Sequence, residues 1–330
     1  HACVLDAAGN VFWRGTFAST RDGLATFLGA FTKATVVMEV GQHSRWASAV
    51  AQELAHDVLV ANPAHVRMIY ASNSKSDRFD AEALARLARV DRKLLHPIRH
   101  RSRSAQAALA IVKSRDALVR SRTSLVNHVR MVVKADGSRL AKCDADQFAK
   151  KVRAQVPDAL AAALTPVIEA IEQLTVRIRA LDVCIVRVAK TAYPETERLL
   201  QVKGVGPVTA LAFVLTIEDV SRFENARDIG PYLGLVPKRH QSGELDPNLR
   251  ISKAGDGYLR RLLVNCAHYI TGPLGSDCDL RRFGHKLSPP GSRTRKKRAV
   301  VAVARKLSVL LVRLWQSGSR YEPDRQLSAA

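Results

Sequence analysis

Three carboxylates stand where they can act together. Glu39 closes the apolar run Ala34-Thr-Val-Val-Met-Glu39, and Asp77 and Asp80 lie three apart in Ser-Lys-Ser-Asp-Arg-Phe-Asp-Ala. That spacing puts Asp77 and Asp80 on one helix face, because residues three or four apart are neighbours on a helical surface. Acids at a strand end and on a nearby helix can hold a hard divalent cation, Mg²⁺ or Mn²⁺, beside a phosphodiester. A plainer reading stays open: Asp77 caps the helix, Asp80 favours its dipole, and Glu39 is a strand end facing solvent.

Three further stretches carry cations beside glycines. In Leu200-Gln-Val-Lys-Gly-Val-Gly-Pro-Val-Thr-Ala, Gly204 and Gly206 allow a tight turn between two helices. With Lys203 this resembles the hairpin of helix-hairpin-helix modules, whose backbone N–H groups bind phosphate without reading base sequence. In Tyr232-Leu-Gly-Leu-Val-Pro-Lys-Arg-His-Gln-Ser-Gly-Glu, Ser242 stands among Lys238, Arg239 and His240. A serine in a cationic pocket can attack phosphorus, since positive charge stabilises the transition state. By spacing alone, however, a serine before glycine is a turn residue. Arg250-Ile-Ser-Lys-Ala-Gly-Asp-Gly-Tyr-Leu-Arg-Arg comes next, and Lys253, Arg260 and Arg261 read as phosphate contacts. The run Arg293-Thr-Arg-Lys-Lys-Arg298 opens an apolar helix over 299–315; its Arg295, Lys296, Lys297 and Arg298, extended by Arg281, Arg282 and Lys286, read as more of the same surface.

The composition frames these groups. The chain has 330 residues, 47% of them apolar, and a formal net charge of +22. That is enough for two or three folded domains and points to a polyanionic partner. The excess is uneven, with 9 basic against 8 acidic side chains over residues 1–90 and 43 against 22 thereafter. No apolar run reads as long enough to span a bilayer, and no signal peptide is visible, so a membrane partner is not expected. The five cysteines are dispersed, with no Cys-x-x-Cys pair. This suits reduced thiols in a cytoplasmic protein better than a disulfide frame or a zinc site.

The elements that must position these residues can be read from periodicity. Strands are expected over 1–5, 10–17, 35–39 and 57–61, and helices over 20–31, 43–54 and 77–90, with Ser19 or Thr20 as an N-cap. Successive strands and then strand–helix alternation describe an α/β domain over residues 1–98. Residues 99–192 are helical, and the runs 104–134 and 157–190 carry near-heptad apolar spacing. They describe an antiparallel coiled-coil hairpin, either packed internally or projecting as an arm. From 193 to 330 glycine, proline and arginine become frequent and the helices shorten, which describes a third, mainly α domain. The chain opens on His1-Ala-Cys-Val-Leu, inside an expected strand, so an element upstream is anticipated.

Taken together, these motifs resemble the bacterial insertion-sequence transposases that carry a DEDD carboxylate tetrad and a catalytic serine. That family includes Piv-like DNA invertases and bridge-RNA-guided recombinases. Met-Glu39-Val-Gly and Ser-Asp-Arg-Phe-Asp-Ala resemble its acid motifs. The ordered series Gly-Val-Gly-Pro, Tyr-Leu-Gly-Leu-Val-Pro, Ser-Gly, Ile-Ser-Lys-Ala-Gly and Leu-Arg-Arg-Leu-Leu resembles its carboxy-terminal signature. The resemblance implies a RuvC-like (RNase H-fold) amino-terminal domain, a coiled-coil middle and a carboxy-terminal transposase domain. It implies metal at Glu39, Asp77 and Asp80, and Ser242 as a nucleophile that links covalently to a DNA end. It further implies double-stranded DNA as substrate, a homo-oligomer (dimer or tetramer) in which the acids of one protomer serve the serine of another, and in some members a guide RNA. The first tetrad Asp of the family belongs to a strand before His1, and Asp6 does not replace it. Strand cleavage by the chain from His1 onward is therefore expected to be impaired or absent. Two other readings of the same residues are a metal-dependent endonuclease using activated water, and a nucleic-acid-binding remnant.

Overall fold

Val36 and Val37 face opposite sides of one strand, and different helices cover the two sides. The computed structural model describes residues 1–63, 77–239, 241, 249–288 and 292–324, in two compact units, His1–Arg101 and Ser102–Ala330. In the first, β1 (Ala2–Leu5) pairs antiparallel with β2 (Val11–Gly15). Asp6 closes their turn by accepting from the Asn10 N–H at 2.8 Å, which holds its carboxyl below the usual range. Helix α1 (Arg21–Gly29) comes next, with Thr20 as N-cap. Strand β3 (Thr35–Glu39), helix α2 (Ser44–Glu53) and strand β4 (Asp57–Ala61) make a crossover unit, so β3 and β4 pair in parallel from Thr35↔Asp57 to Glu39↔Ala61. Val36 and Val58 pack on Leu24, Leu28, Val50 and Ala51 of α1 and α2. Val37 and Leu59 pack on Leu84 and Ala88 of α3 (Asp77–Val90).

The α/β character expected of residues 1–98 is present, but the sheet is small. Among the described residues the four strands form two separate two-stranded sheets, and α3 packs on both β1 and β3.

The second unit is helical. Helix α4 (Arg103–Ala135) and helix α6 (Asp158–Ala192) lie side by side. Arg115 meets Asp182 at 2.7 Å and Arg122 meets Thr175 Oγ1 at 3.2 Å, so the two run antiparallel. Short α5 (Phe148–Val152) plugs the far end, where Phe148 and Val152 are fully buried with Val129, Leu164 and Ile171. At the near end Ala105, Leu109, Val112, Ile185 and Ala189 enter the same core as α7 (Thr196–Leu200), α8 (Pro207–Ile217), α9 (Ile229–Tyr232), α10 (Gly257–Thr271), α11 (Asp279–Leu287) and α12 (Arg293–Ser317). The domain boundary placed at 192 therefore does not coincide with a break in packing. The apolar stripe of the helical pair continues into the carboxy-terminal core.

One expectation is corrected. Helix α6 is long and apolar enough, by length and composition, to cross a membrane. In this unit it carries its stripe from Leu164 to Ala189 against α4, α5 and the carboxy-terminal core. All five cysteines are free thiols.

The buried Arg122 ties three segments, donating to Asp146 at 2.6 Å as well as to Thr175. Arg122→Ala should destabilise this unit by about 1–3 kcal/mol, because it loses charge-assisted bonds to Asp146 and to the Thr175 hydroxyl, which keeps only its own bond to the Ile171 carbonyl at 2.8 Å. Asp146→Asn should cost less than half of that, since Asp146 is half-exposed and water can replace it. Urea unfolding of the two variants decides the order.

Candidate functional site

Period-two alternation places Glu39 on the same side of β3 as Val37, the side that α3 covers. The direction of α3 is fixed by Arg92, two residues beyond its carboxyl end. Arg92 reaches Asp57 at 2.6 Å and Thr35 Oγ1 at 3.0 Å, the first residues of β4 and β3. The carboxyl end of α3 thus lies at the amino ends of the strands. Its amino end, with Asp77 and Asp80 in the first turn, is directed toward the carboxyl ends, where Glu39 sits. Loops at the carboxyl ends of parallel strands are the usual place for ligands in open α/β layers. The three acids therefore share one layer and one end of it. Their oxygen donors have the chemistry that Mg²⁺ or Mn²⁺ takes, but they do not converge: among the described residues no three His, Cys, Asp or Glu side chains form a group that can hold a metal ion.

The second site element is a pair of interlocked turns. Gly234 has φ +65 and Gly255 φ +71, a left-handed region that favours glycine. Each lies hard against the other turn. A Cβ on Gly234 would stand 2.3 Å from the Ala254 nitrogen, and one on Gly255 would stand 2.0 Å from the Tyr232 oxygen. From this contact two backbone segments run outward side by side. The Lys253 N–H donates to the Gly234 oxygen (3.1 Å), that of Ser252 to Val236 (2.8 Å), and that of Lys238 to Arg250 (3.0 Å). Pro237 and Ile251 face each other as an antiparallel bridge. Residues 239–249 separate its two sides in sequence. Ser242 belongs to that segment and, with His240, lies outside the described residues. Lys238, Arg239, Arg250 and Lys253 are exposed at the ladder. Lys253 itself holds φ +58, which is uncommon for a residue with a side chain.

The remaining cations divide into two groups. Arg295, Lys296, Lys297 and Arg298 occupy the first turns of α12, are exposed, and have no ion-pair partner among the described residues. No acid balances them in that first turn, although a helix amino end favours negative charge. The others are engaged within the fold. Arg260 donates through one Nη1 to the carbonyls of Leu233 (2.9 Å) and Ala254 (2.8 Å). Arg261 pairs with Asp116 at 2.6 Å and lies over the Tyr258 ring. Burial first, and Asp116 next, push the Tyr258 hydroxyl up to about 12. Arg281 bonds the Ile270 and Gly272 carbonyls, and Arg282 pairs with Asp277, Asp279 and Asp324. The reading of all of these as phosphate contacts did not foresee these partners within the fold, some of them, such as Asp116 and Asp324, remote in sequence. The one local signal was the pair of glycines, which announces two turns needing an anchor.

The glycine turn at 201–206 also has a structural duty. Gly204, at φ +98, lies where a Cβ would meet Tyr269 and Ile270 of α10. Gly206 is the N-cap of α8, and Pro207 fills its first position. Lys203 is exposed and donates to Ser276 Oγ at 3.3 Å. The helix before this turn, α7, has only five residues.

An acid-bearing α/β unit joined in one chain to a strongly basic helical unit defines a protein that works on a polyanion. Residues 196–272 match the model of the transposase IS116/IS110/IS902 family, and residues 1–137 match the DEDD transposase model of the IS110 type. The chain is 31% identical over 256 residues to a probable family 20 transposase of Pseudomonas aeruginosa, covering 74% of each chain. It is 30% identical over 275 residues to the transposase for insertion sequence element IS1111A of Coxiella burnetii, covering 80% of this chain and 72% of that one. A pilin gene-inverting protein of Moraxella lacunata is 29% identical over 110 residues, 33% of each chain. This chain belongs to the IS110/IS116/IS902 family of insertion-sequence transposases, enzymes of DNA transposition.

The interlocked turns make opposite demands on neighbouring positions. Gly255→Ala should destabilise the protein by about 1–3 kcal/mol from backbone strain alone. Lys253→Gly relieves a left-handed residue and should leave thermal stability unchanged or raise it by up to about 1 kcal/mol, while lowering DNA affinity through the lost charge.

Proposed function

We propose that this transposase cuts and rejoins DNA through Ser242. The observation that supports this reading is the backbone ladder between residues 234–238 and 250–253, which carries four exposed cations, Lys238, Arg239, Arg250 and Lys253, close to Ser242 in sequence. Lys238 is four residues from Ser242, within about 14 Å of chain reach. In the proposed step Ser242 Oγ bonds to phosphorus and the ester bond to one DNA end breaks. That end departs as a hydroxyl with the serine's proton. A second DNA hydroxyl then attacks the phosphoserine ester, restores the phosphodiester and returns the proton to Ser242.

Glu39, Asp77 and Asp80 are the proposed ligands of a divalent cation, Mg²⁺ or Mn²⁺, which would neutralise phosphodiester charge. In this reading the acid-bearing unit is RuvC-like, α4 and α6 are a coiled-coil arm, and the α7–α8 turn is a helix-hairpin-helix-like element. The active form is a homo-oligomer, and site choice is open to a guide RNA. The unbalanced cations of α12 hold the DNA backbone, because a polyanion relieves both their mutual repulsion and their conflict with the helix dipole.

Incubation with a duplex carrying the element's own end tests the chemistry. Ser242→Ala should abolish covalent protein–DNA adducts while leaving duplex affinity within twofold, and adducts that persist would refute the nucleophile. Cleavage without any adduct in the unaltered protein would point to hydrolysis by activated water instead. Replacing Arg295, Lys296, Lys297 and Arg298 by Gln should reduce the slope of log affinity against log salt by up to about 3–4. An unchanged slope would remove α12 from the interface.

A further inference from the structure

We propose that Lys238, Arg250 and Arg305 form a phosphate site that holds the backbone of duplex DNA and joins the cationic start of α12 to the ladder. The inference deepens the reading of α12 as a DNA-holding helix, and it does not require the serine chemistry.

The first observation is a pair of like charges. Pro237 and Ile251 are antiparallel partners, and the Lys238 N–H donates to the Arg250 carbonyl at 3.0 Å. Lys238 and Arg250 therefore stand opposite each other, and opposite residues of an antiparallel pair project to the same face. Like charges so placed repel. Backbone bonds hold the two cations side by side whatever their side chains do.

The second observation brings a third cation to the pair. Arg305 is exposed on α12, between the buried Ala304 and Leu307. Its stem crosses α9 at Gly230, where a Cβ would stand 3.1 Å from Arg305 Nε and 3.5 Å from its Cγ. The same Cβ would stand 3.4 Å from Val236 Cγ1, so the missing side chain is what lets Arg305 lie against the ladder. Val236 belongs to that ladder through its bond from the Ser252 N–H. It precedes Lys238 by two residues, about 7 Å of extended chain. None of the three side chains has a hydrogen-bond or ion-pair partner among the described residues.

Arg305 also points back along α12. Arg298 lies seven residues before it, on nearly the same helix face and about 10.5 Å away along the axis. Arg298, Arg305 and the Lys238–Arg250 pair thus form a row of unpaired cations. A nucleic-acid strand carries a charge at every nucleotide, so separate cations in a row can each meet a phosphate without reading a base.

The salt dependence of duplex binding by the full chain tests the site. Lys238→Gln, Arg250→Gln and Arg305→Gln should each reduce the slope of log affinity against log salt by about 1, and the triple change by about 2–3. The ratio of affinities for element-end and scrambled duplexes should stay within twofold. Arg305→Lys keeps the charge and should keep the slope. Arg313→Gln, at an exposed arginine eight residues further along α12, should leave it unchanged. Without DNA, at low salt, Lys238→Gln and Arg250→Gln should hold or raise the melting temperature, because repulsion is relieved. An unchanged slope in the triple variant overturns the site, and if the four-Gln change in α12 still lowers the slope, the α12 reading stands without it. The reverse pattern upholds the site and removes α12 alone. An equal fall with Arg313→Gln reports net charge and overturns the site, as does a fall with Arg305→Lys, which reports packing over Gly230. A changed affinity ratio assigns base contacts instead, a loss confined to RNA assigns the site to RNA, and a lowered melting temperature ties the side chains to the fold; each overturns the proposal.

Discussion

A helix that is apolar on every side has to be surrounded on every side, and α8 is such a helix. Each residue from Thr209 to Ile217 is buried, and Ala210 through Phe213 are fully so. A Leu, Phe or Val moved fully out of water contributes about 1.5–3 kcal/mol, so the unit gains most by wrapping this segment. Helices α4, α6, α7 and α10 do so. The end of α8 also fixes the start of α4: Glu218, at φ +62, turns its carboxylate onto the Ser102 N–H at 2.9 and 3.2 Å. The long helical pair is thereby rooted in the carboxy-terminal core rather than tethered to it.

With its centre filled by α8, the carboxy-terminal core has only its margins for charge, and the arginines there serve two ends. Some satisfy carbonyls and carboxylates that the close packing of turns leaves exposed to one another, as Arg260, Arg281 and Arg282 do. Others, at the start of α12, remain uncompensated and exposed. Solvated cations without partners are the ones whose counterions a polyanion can displace. The number of lysines and arginines in the chain is therefore a poor count of its binding residues, since several of them are engaged within the fold.

Much of the architecture was legible because it is local. β3, β4 and α3 run over 35–39, 57–61 and 77–90 as their periodicities predict, and Thr20 caps α1 as its type suggests. The two long helices begin and end within two residues of the apolar runs that announce them. Within α3, however, Phe79 and Val90 fit the helical pattern and are nonetheless exposed, whereas Leu84 and Ala88 are buried. Apolar spacing says that a face exists, not how much of it a neighbour covers. Hydropathy is equally silent about α6, which is long and apolar enough to cross a membrane while its stripe packs on protein.

The sequence by itself determined which residues can do chemistry and on which element each one lies. Glu39 ends a strand, Asp77 and Asp80 open a helix, and four cations open another; these assignments come from backbone preferences over a few residues. Only the tertiary structure decided what those groups face. The direction of α3, and so the end at which its acids lie, depends on Arg92 finding Thr35 and Asp57. The role of Arg261 depends on Asp116, 145 residues away, and that of Arg260 on two carbonyls brought together by turns at 234 and 255. The physical reason is range. A helix or strand is specified by neighbours along the chain, whereas a charge is specified by whatever lies within about 3 Å of it, and sequence separation carries no record of that distance.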